Sequence, residues 1–330
     1  MDVVTAMSNR LRLLAAVLGV CAATAGQAQG NAWPQRPVKL VVPFPAGGNV
    51  DAYARVFAPA LSKEIGQPVV IENRAGATGA IGVKEVARAE PDGYTVLMGN
   101  ITSVVGTTVL NKEARLSPLE QLMPVCTLAD NEIVLFANAK TGATTLADLK
   151  RLSTADRPLT FGSSGNGSIS HLAMVQLMLS QNVDASHIPY KGNGPFTVDL
   201  VAGHIQLGMV DLNNAAQYIK SGALVPLAVT GQARLAELPN IPSTGELGLK
   251  RPNFTAWIGL LLPTATPQAI AKALADASAR AIRAPAVVAF TSHNGNRSAY
   301  RDAAEMRQLI SDGIQDWSEF INSKIMETAQ

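Results

Sequence analysis

Residues 38–51 read Val-Lys-Leu-Val-Val-Pro-Phe-Pro-Ala-Gly-Gly-Asn-Val-Asp. The apolar run Val38 to Val42 reads as a buried strand. Beyond it Val50, Tyr53, Ala54, Phe57 and Leu61 recur at helical spacing. Between the two lies a turn of proline and glycine. Strand, glycine turn and helix, in that order, aim a row of unpaired backbone N–H groups at one point, which suits an anion. The turn is not a phosphate loop, because Gly47-Gly48 leads into Asn49 and no lysine follows. No strand is followed by Gly-x-Gly-x-x-Gly, so a dinucleotide fingerprint is absent as well. The turn therefore reads as one jaw of a clamp for a small carboxylate, in a protein that binds and does no chemistry.

The same unit recurs along the chain. A strand over Pro68 to Glu72 leads into Asn73-Arg74-Ala75-Gly76-Ala77-Thr78-Gly79 and a helix from Ala80 to Ala89. A strand over Thr95 to Met98 closes on Gly99-Asn100. After two apolar runs, Met123 to Leu128 and Ile133 to Ala137, the alternation resumes. Leu159 to Phe161 ends at Gly162-Ser163-Ser164-Gly165-Asn166-Gly167-Ser168, ahead of a helix from Ile169 to Ser180. His187 to Tyr190 leads into Lys191-Gly192-Asn193-Gly194-Pro195, and Ile205 to Val210 ends at Asp211. Strand–helix alternation over the first hundred residues predicts an α/β fold with a parallel sheet covered by helices. Pro59 should kink or split the first helix near Arg55. Phe254 to Leu262 is a long apolar strand, and two helices, 267–284 and 301–323, finish the chain. Ligands of such sheets sit at the carboxyl ends of the strands, where the glycine turns lie, and two facing sheets make a cleft.

With 330 residues, 47% of them hydrophobic, the chain has material for two cored domains. We expect a leader over residues 1–28, a discontinuous first domain of 33–133 plus 254–330, and a second domain of 134–253. The leader is read from Arg10 and Arg12 before Leu13-Leu14-Ala15-Ala16-Val17-Leu18-Gly19-Val20, then small residues with cleavage after Ala25 or Ala28. Its apolar core is shorter than the roughly 20 residues of a spanning helix. Without the first thirty residues, 25 basic side chains stand against 24 acidic ones. That balance, with no basic run, gives no reason to invoke nucleic acid. The two cysteines are Cys21 and Cys126, so loss of the leader leaves one, which reads as core filler. None of the four histidines, His171, His187, His204 and His293, has a ligand-spaced partner, so neither a metal centre nor another cofactor is expected.

The candidate ligand residues are Phe44, Ala46, Gly47, Gly48, Asn49 and Asp51 in the first turn, Thr78 and Asn100 after the next strands, and Ser163, Ser164, Gly165, Asn166, Gly167 and Ser168 in the serine turn. His171, Tyr190 and Asp211 complete the set. Backbone donors at two helix starts, joined by hydroxyl and amide groups, suffice for a micromolar carboxylate. Charge-assisted bonds contribute about 1.5–3 kcal/mol each against the ~8 kcal/mol required. Asp51 and Asp211 either cap helices or meet an amino group on the ligand. His171 either donates to a carboxylate or packs on the turn, and Phe44 and Tyr190 wall the pocket. A secreted hydrolase using Ser164 or Ser168 with His171 as base is the enzymatic alternative, although the Gly-x-Ser-x-Gly elbow is missing. A receptor feeding a membrane sensor is the other.

Taken together, the motifs resemble the Bug family, the periplasmic solute receptors of tripartite tricarboxylate transporters. The resemblance rests on Trp33-Pro34 with Arg36-Pro37, Val41-Val42-Pro43-Phe44-Pro45-Ala46-Gly47-Gly48 with Asp51, Gly66-Gln67-Pro68-Val69-Val70, and Glu72-Asn73-Arg74. It continues in Pro91-Asp92-Gly93-Tyr94-Thr95, Ser164-Gly165-Asn166-Gly167 with Ser170-His171-Leu172, Pro189-Tyr190-Lys191-Gly192 and Leu227-Ala228-Val229-Thr230. It implies a two-domain Venus-flytrap fold of the type II kind with the ligand cleft between the domains. It also implies a free-standing periplasmic monomer that passes an organic anion (a dicarboxylate, an amino acid or an aromatic acid) to a permease of one large and one small subunit. Ligand carboxylates would be held by backbone groups over Phe44 to Asp51 and Ser163 to Ser168, and Asp211 matches an acidic family position. The chain departs from the family pattern at Ala75, where proline is usual, at Thr78, where glycine is usual, at Asn100, where Thr or Ser is usual, and at Asn213-Asn214, a region that often carries Pro and Ser.

Overall fold

The computed structural model describes residues 33–110, 116–154, 156–249, 254, 256–293 and 296–322. The leader expected over 1–28 lies outside them. The chain divides after Gln35, and the fold below is that of Arg36 onward.

The first sheet has six strands. β1 (Val38–Val42), β2 (Val69–Asn73) and β3 (Thr95–Asn100) run parallel, with β1 between the other two. β1 is buried at four of its five positions, as its uninterrupted apolar sequence requires of a strand covered on both faces. β4 (Leu122–Asn131), β10 (Ala256–Pro263) and β11 (Asn296–Arg301) extend the sheet antiparallel, in the order β11-β4-β10-β3-β1-β2. Its helices include α1 (Asn49–Ile65), α2 (Ala80–Ala87), α9 (Gln268–Ala281), α10 (Pro285–His293) and α11 (Ala303–Asn322). A π-helical turn, Thr102–Gly106, runs into the short α3 (Thr107–Leu110), and α4 (Pro118–Gln121) precedes β4.

The second sheet has five strands in the order β7-β6-β8-β5-β9: β5 (Ile133–Asn138), β6 (Leu159–Ser163), β7 (Ala185–Pro189), β8 (Leu207–Asp211) and β9 (Leu224–Val229). α5 (Leu146–Leu152), α6 (Ile169–Ser180), α7 (Asn193–Ala202) and α8 (Leu212–Lys220) connect its strands. β6, β7 and β8 are parallel neighbours whose carboxyl ends carry the serine turn, the 190–193 turn and Asp211.

The chain crosses between sheets twice. Only Glu132 separates β4 from β5, and the return runs from the end of β9 to β10. The outgoing and returning strands are tied beside the first crossing: Thr230 N–H donates to the Ile133 carbonyl at 2.9 Å, and Ile133 N–H to the Thr230 hydroxyl at 3.0 Å. A hydrophobic cluster reaches from Val41 and Leu97 to Leu135, Phe161 and Leu207, and so contains residues of both sheets. A second cluster, around Phe136, Phe196, Leu200 and Ile205, belongs to the second sheet.

Two expectations fail. α1 is not split near Arg55: it runs unbroken from Asn49 to Ile65 with Pro59 inside it. Pro59 and Arg55 both lie on the exposed face, so the Arg55 carbonyl, denied its helix partner, faces solvent. The chain also ends in three helices and a strand, where two helices were expected. β11 reads Asn-Arg-Ser-Ala-Tyr-Arg and has no apolar alternation. It is held by its ladder, by the Thr127 hydroxyl donating to the Ala299 carbonyl at 2.6 Å, and by a bidentate Arg301–Asp130 pair at 2.7 Å.

Candidate functional site

The first turn is framed from inside. Gly48 is the N-cap of α1 and has no side chain with which to cap. The turn is braced instead by Asp51, which is 1% exposed. Its Oδ2 accepts the Gly47 N–H and the Arg55 Nε–H, each at 2.8 Å. Its Oδ1 accepts Asn73 Nδ2 at 2.9 Å and a second Arg55 N–H at 3.1 Å. Asn73 also donates to the Phe44 carbonyl at 3.1 Å, pinning the turn to the end of β2. Burial alone would raise the Asp51 carboxyl, but the bonds from Arg55, Gly47 and Asn73 outweigh it, and the group titrates below its ordinary value. The Gly47 N–H is therefore already used. The N–H groups of Asn49 and Val50, in the first turn of α1, have no partner within the helix. Pro45, Ala46 and Gly47 are exposed at the tip, with Phe44, Gly48 and Asn49 half-buried behind them.

The serine turn is built from hydroxyls. Ser168 caps α6, accepting the His171 backbone N–H at 3.2 Å. The Ser170 hydroxyl lies 3.0 Å from that of Ser168 and 3.1 Å from that of Ser164, and also accepts the Ser164 N–H at 3.1 Å. The Ser163 hydroxyl bridges the Gly165 backbone and His187 Nε2, the latter at 2.7 Å. Gly167 N–H donates to His171 Nδ1 at 3.0 Å, which makes Nδ1 the acceptor of a neutral ring. The His171 and His187 rings stack with centroids 3.9 Å apart, with Phe161 stacked on His187. Burial pushes His171 down to about 3, with His187 adding to the effect, and burial pushes His187 down to about 4. The histidines thus shape the turn as neutral rings. Asn166 stays exposed at its tip.

The serine turn packs closely on the π-helical segment and α3 through glycine. A Cβ on Gly106, in the π-helical segment, would stand 3.3 Å from the Gly167 carbonyl, and one on Gly167 would overlap Leu110.

Asp211 ends β8 and is 3% exposed. Four asparagine side chains donate to it. Asn49, from the first turn, and Asn131, from the end of β4, share Oδ1, the former at 3.4 Å. Asn193 at 2.8 Å and Asn214 at 3.3 Å share Oδ2. Burial raises its carboxyl and the amides draw it back, with the net shift upward.

The remaining candidates are placed as follows. Thr78 is half-buried with φ of 57° in the turn before α2, a left-handed backbone natural to glycine and costly for a β-branched residue. Asn100 ends β3 and turns its Oδ1 onto the Ser103 N–H at 2.9 Å, starting the π-helical turn. Tyr190 gives its hydroxyl to Asp199 at 2.7 Å and leans on Phe196. Cys126 is buried in β4, and burial pushes its thiol up to about 12.

Sequence reading missed Asn73, Ser170, His187, Asn193, Asn214 and Asn131 as parts of this arrangement. A signal existed for Asn131: the polar triplet Asp130-Asn131-Glu132 interrupts two apolar runs, and that break is where the chain changes sheet. Among the described residues, no group of three or more His, Cys, Asp or Glu side chains could hold a metal ion.

Residues 53–326 match the profile of the tripartite tricarboxylate transporter family receptor. The chain is 34% identical over 318 residues to Protein BugT of Bordetella pertussis, covering 94% of this chain and 96% of the relative. Among solved structures it is similar to MatC from Rhodopseudomonas palustris with bound malate, at 28% identity and a TM-score of 0.79, covering 88% of this chain and 100% of that one. A second R. palustris protein, solved with adipate, superposes with a TM-score of 0.81 at 29% identity, covering 90% of this chain and 98% of that one.

Proposed function

The chain belongs to the tripartite tricarboxylate transporter receptor family, and from that premise we propose that it captures a small organic carboxylate between its first turn and its serine turn for delivery to a membrane permease of one large and one small subunit. The observation that carries this reading is the state of the two helix starts. In each, side chains of the turn's own neighbourhood hold the loop open and consume the backbone groups at its base. The N–H groups of the first helical positions, Asn49 and Val50 on α1 and Ile169 and Ser170 on α6, are left without a helix partner. Solved relatives carry malate and adipate, small organic dicarboxylates.

The ligand shell is Phe44 to Asn49, Thr78, Asn100 and Ser163 to Ser168, with His171 offering its Nε2–H. Asp51 acts as the frame of the first turn, with both its oxygens engaged by Gly47, Arg55 and Asn73. The two lobes are 33–133 with 254–330, and 134–253, hinged at Glu132. The leader over 1–28 exports the chain to the periplasm, where it works as a monomer. The family is one of binding receptors, so the serine–histidine hydrolase falls away. The geometry agrees with that outcome: Ser168 is occupied as a helix cap, and His171 Nδ1 is occupied by the Gly167 N–H.

Ligand binding stabilises a fold by mass action. A thermal-shift screen of the refolded protein across dicarboxylates, amino acids and aromatic acids should find a stabilising ligand. Absence of any shift at millimolar concentrations would overturn the reading.

A further inference from the structure

We infer that Asp211, Asn49 and Asn131 form a receptor for a ligand ammonium beside the first carboxylate jaw, so that the preferred ligand carries an α-amino carboxylate head. This rests on the carboxylate clamp above and adds the second charged group of the ligand.

An ionised carboxylate only accepts, and four amide N–H donors converge on Asp211 from Asn49, Asn131, Asn193 and Asn214. Asp211 thereby fixes which way two of those amides face. Asn49 and Asn131 both turn Nδ2 to the same oxygen, Asp211 Oδ1, so their Oδ1 atoms face away from it. Both Oδ1 atoms are buried, and neither has a hydrogen-bond partner. Asn131 is 3% exposed, and its orphan oxygen is buried with it. Buried acceptors without donors are costly and rare. Here two of them sit around a buried carboxylate that forms no ion pair with a Lys, Arg or His among the described residues. Two oriented amide oxygens backed by an uncompensated negative charge call for a group that is cationic and rich in donors and supplies no acceptor. An ammonium meets all three conditions.

Position narrows the class further. Asn49 is the first residue of α1. Its backbone N–H belongs to the carboxylate jaw and its side-chain oxygen to the ammonium site. One residue thus presents a donor and an acceptor a few bonds apart, the complement of a carboxylate and an amine on one carbon.

The test is calorimetry on the mature chain, unfolded and refolded to strip any resident ligand, with pairs of acids that differ by the amine. Suitable pairs are L-aspartate and succinate, L-glutamate and glutarate, L-phenylalanine and 3-phenylpropionate. For at least one pair the amino compound should bind about tenfold tighter or more. Asp211→Asn should bring that ratio close to one by weakening the amino compound selectively. Should Asp211→Asn fail to fold, Asn49→Ala, at a half-exposed helix start, should lower the same ratio. Equal binding of amino and deaminated partners, or a preference that survives both substitutions, overturns the ammonium site and leaves the carboxylate clamp standing. Binding of no carboxylate of either kind overturns the clamp and the ammonium site together.

Discussion

Asp51 accepts the backbone N–H of Gly47 at 2.8 Å, reaching back from the third helical position to a residue before the cap. This bond ties the turn to the helix but accepts none of the first helical N–H groups, which Gly48 leaves without a side-chain cap. Asp51→Ala would strand the Gly47 N–H and one of the two Asn73 Nδ2 hydrogens, an expected cost of about 1–3 kcal/mol in urea unfolding. Asp51→Asn keeps an acceptor for Gly47 and should cost less. The carboxyl titrates below its ordinary 3.8 when folded. Its contribution is therefore present above that value and is lost as pH falls through the lower folded value. Below pH ~4 the wild type should lose stability more steeply than Asp51→Asn. Parallel acid limbs for the two proteins would show that Asp51 does not supply the slope.

Gly48 offers a cleaner test of the first jaw. Its φ of −76° is open to any residue, and an added Cβ would meet only the Pro45 carbonyl, at 3.5 Å. Gly48→Val should therefore fold normally, while its side chain stands where the proposed carboxylate would approach the first N–H groups of α1. Loss of one or two charge-assisted bonds corresponds to roughly 10- to 10,000-fold in Kd. Unchanged affinity in calorimetry, with unchanged circular dichroism, would remove this turn from the site.

How much of this was legible beforehand follows from range in sequence. β1, its turn and α1 were readable because their signals are local: an apolar run, glycine, and a 3.6-residue period. The same holds for the serine turn and Ser168. Thr78 was noted where glycine is usual, and its positive φ gives the reason. What was hidden depends on topology. Asn131 and Asp211 meet because β5 pairs with β8, which places Ile133 opposite Asp211, and no local pattern announces that. His187 reaches Ser163 only through the β6–β7 pairing. β11 has no apolar rhythm because Arg301 and the Thr127 bonds hold it in place of a buried face. Pro59 misled because its missing bond faces solvent, where water substitutes.

The stacked histidines set a pH limit. Both titrate well below the ordinary 6.5, to about 3 for His171 and about 4 for His187. Between those values and 6.5 the unfolded chain binds protons that the folded chain refuses. Stability should therefore be fully present above pH ~6.5 and decline as pH falls toward 4. His187→Phe keeps the stack on Phe161 and removes one titrating group. Its melting temperature should fall less between pH 7 and 5 than that of the wild type. Matching declines would place the sensitivity elsewhere.

Gly167 and Leu110 test whether contact between the serine turn and the end of α3 matters to binding. Gly167 has φ of +70°, and a Cβ there would lie 1.8 Å from Leu110 Cδ1 and 2.9 Å from its Cγ. Gly167→Ala carries two costs. The left-handed backbone costs an L-residue about 1–2 kcal/mol, and the clash pushes the α3 end away from the serine turn. The two are separable, because Leu110→Ala removes the clash and leaves the strain. Affinity should fall in Gly167→Ala, by about tenfold if roughly 1.4 kcal/mol of closure is lost. It should recover in the Gly167→Ala/Leu110→Ala double variant, while the loss in melting temperature persists in part. A double variant that binds as poorly as the single one would show that backbone strain in the serine turn, and not its separation from α3, controls capture.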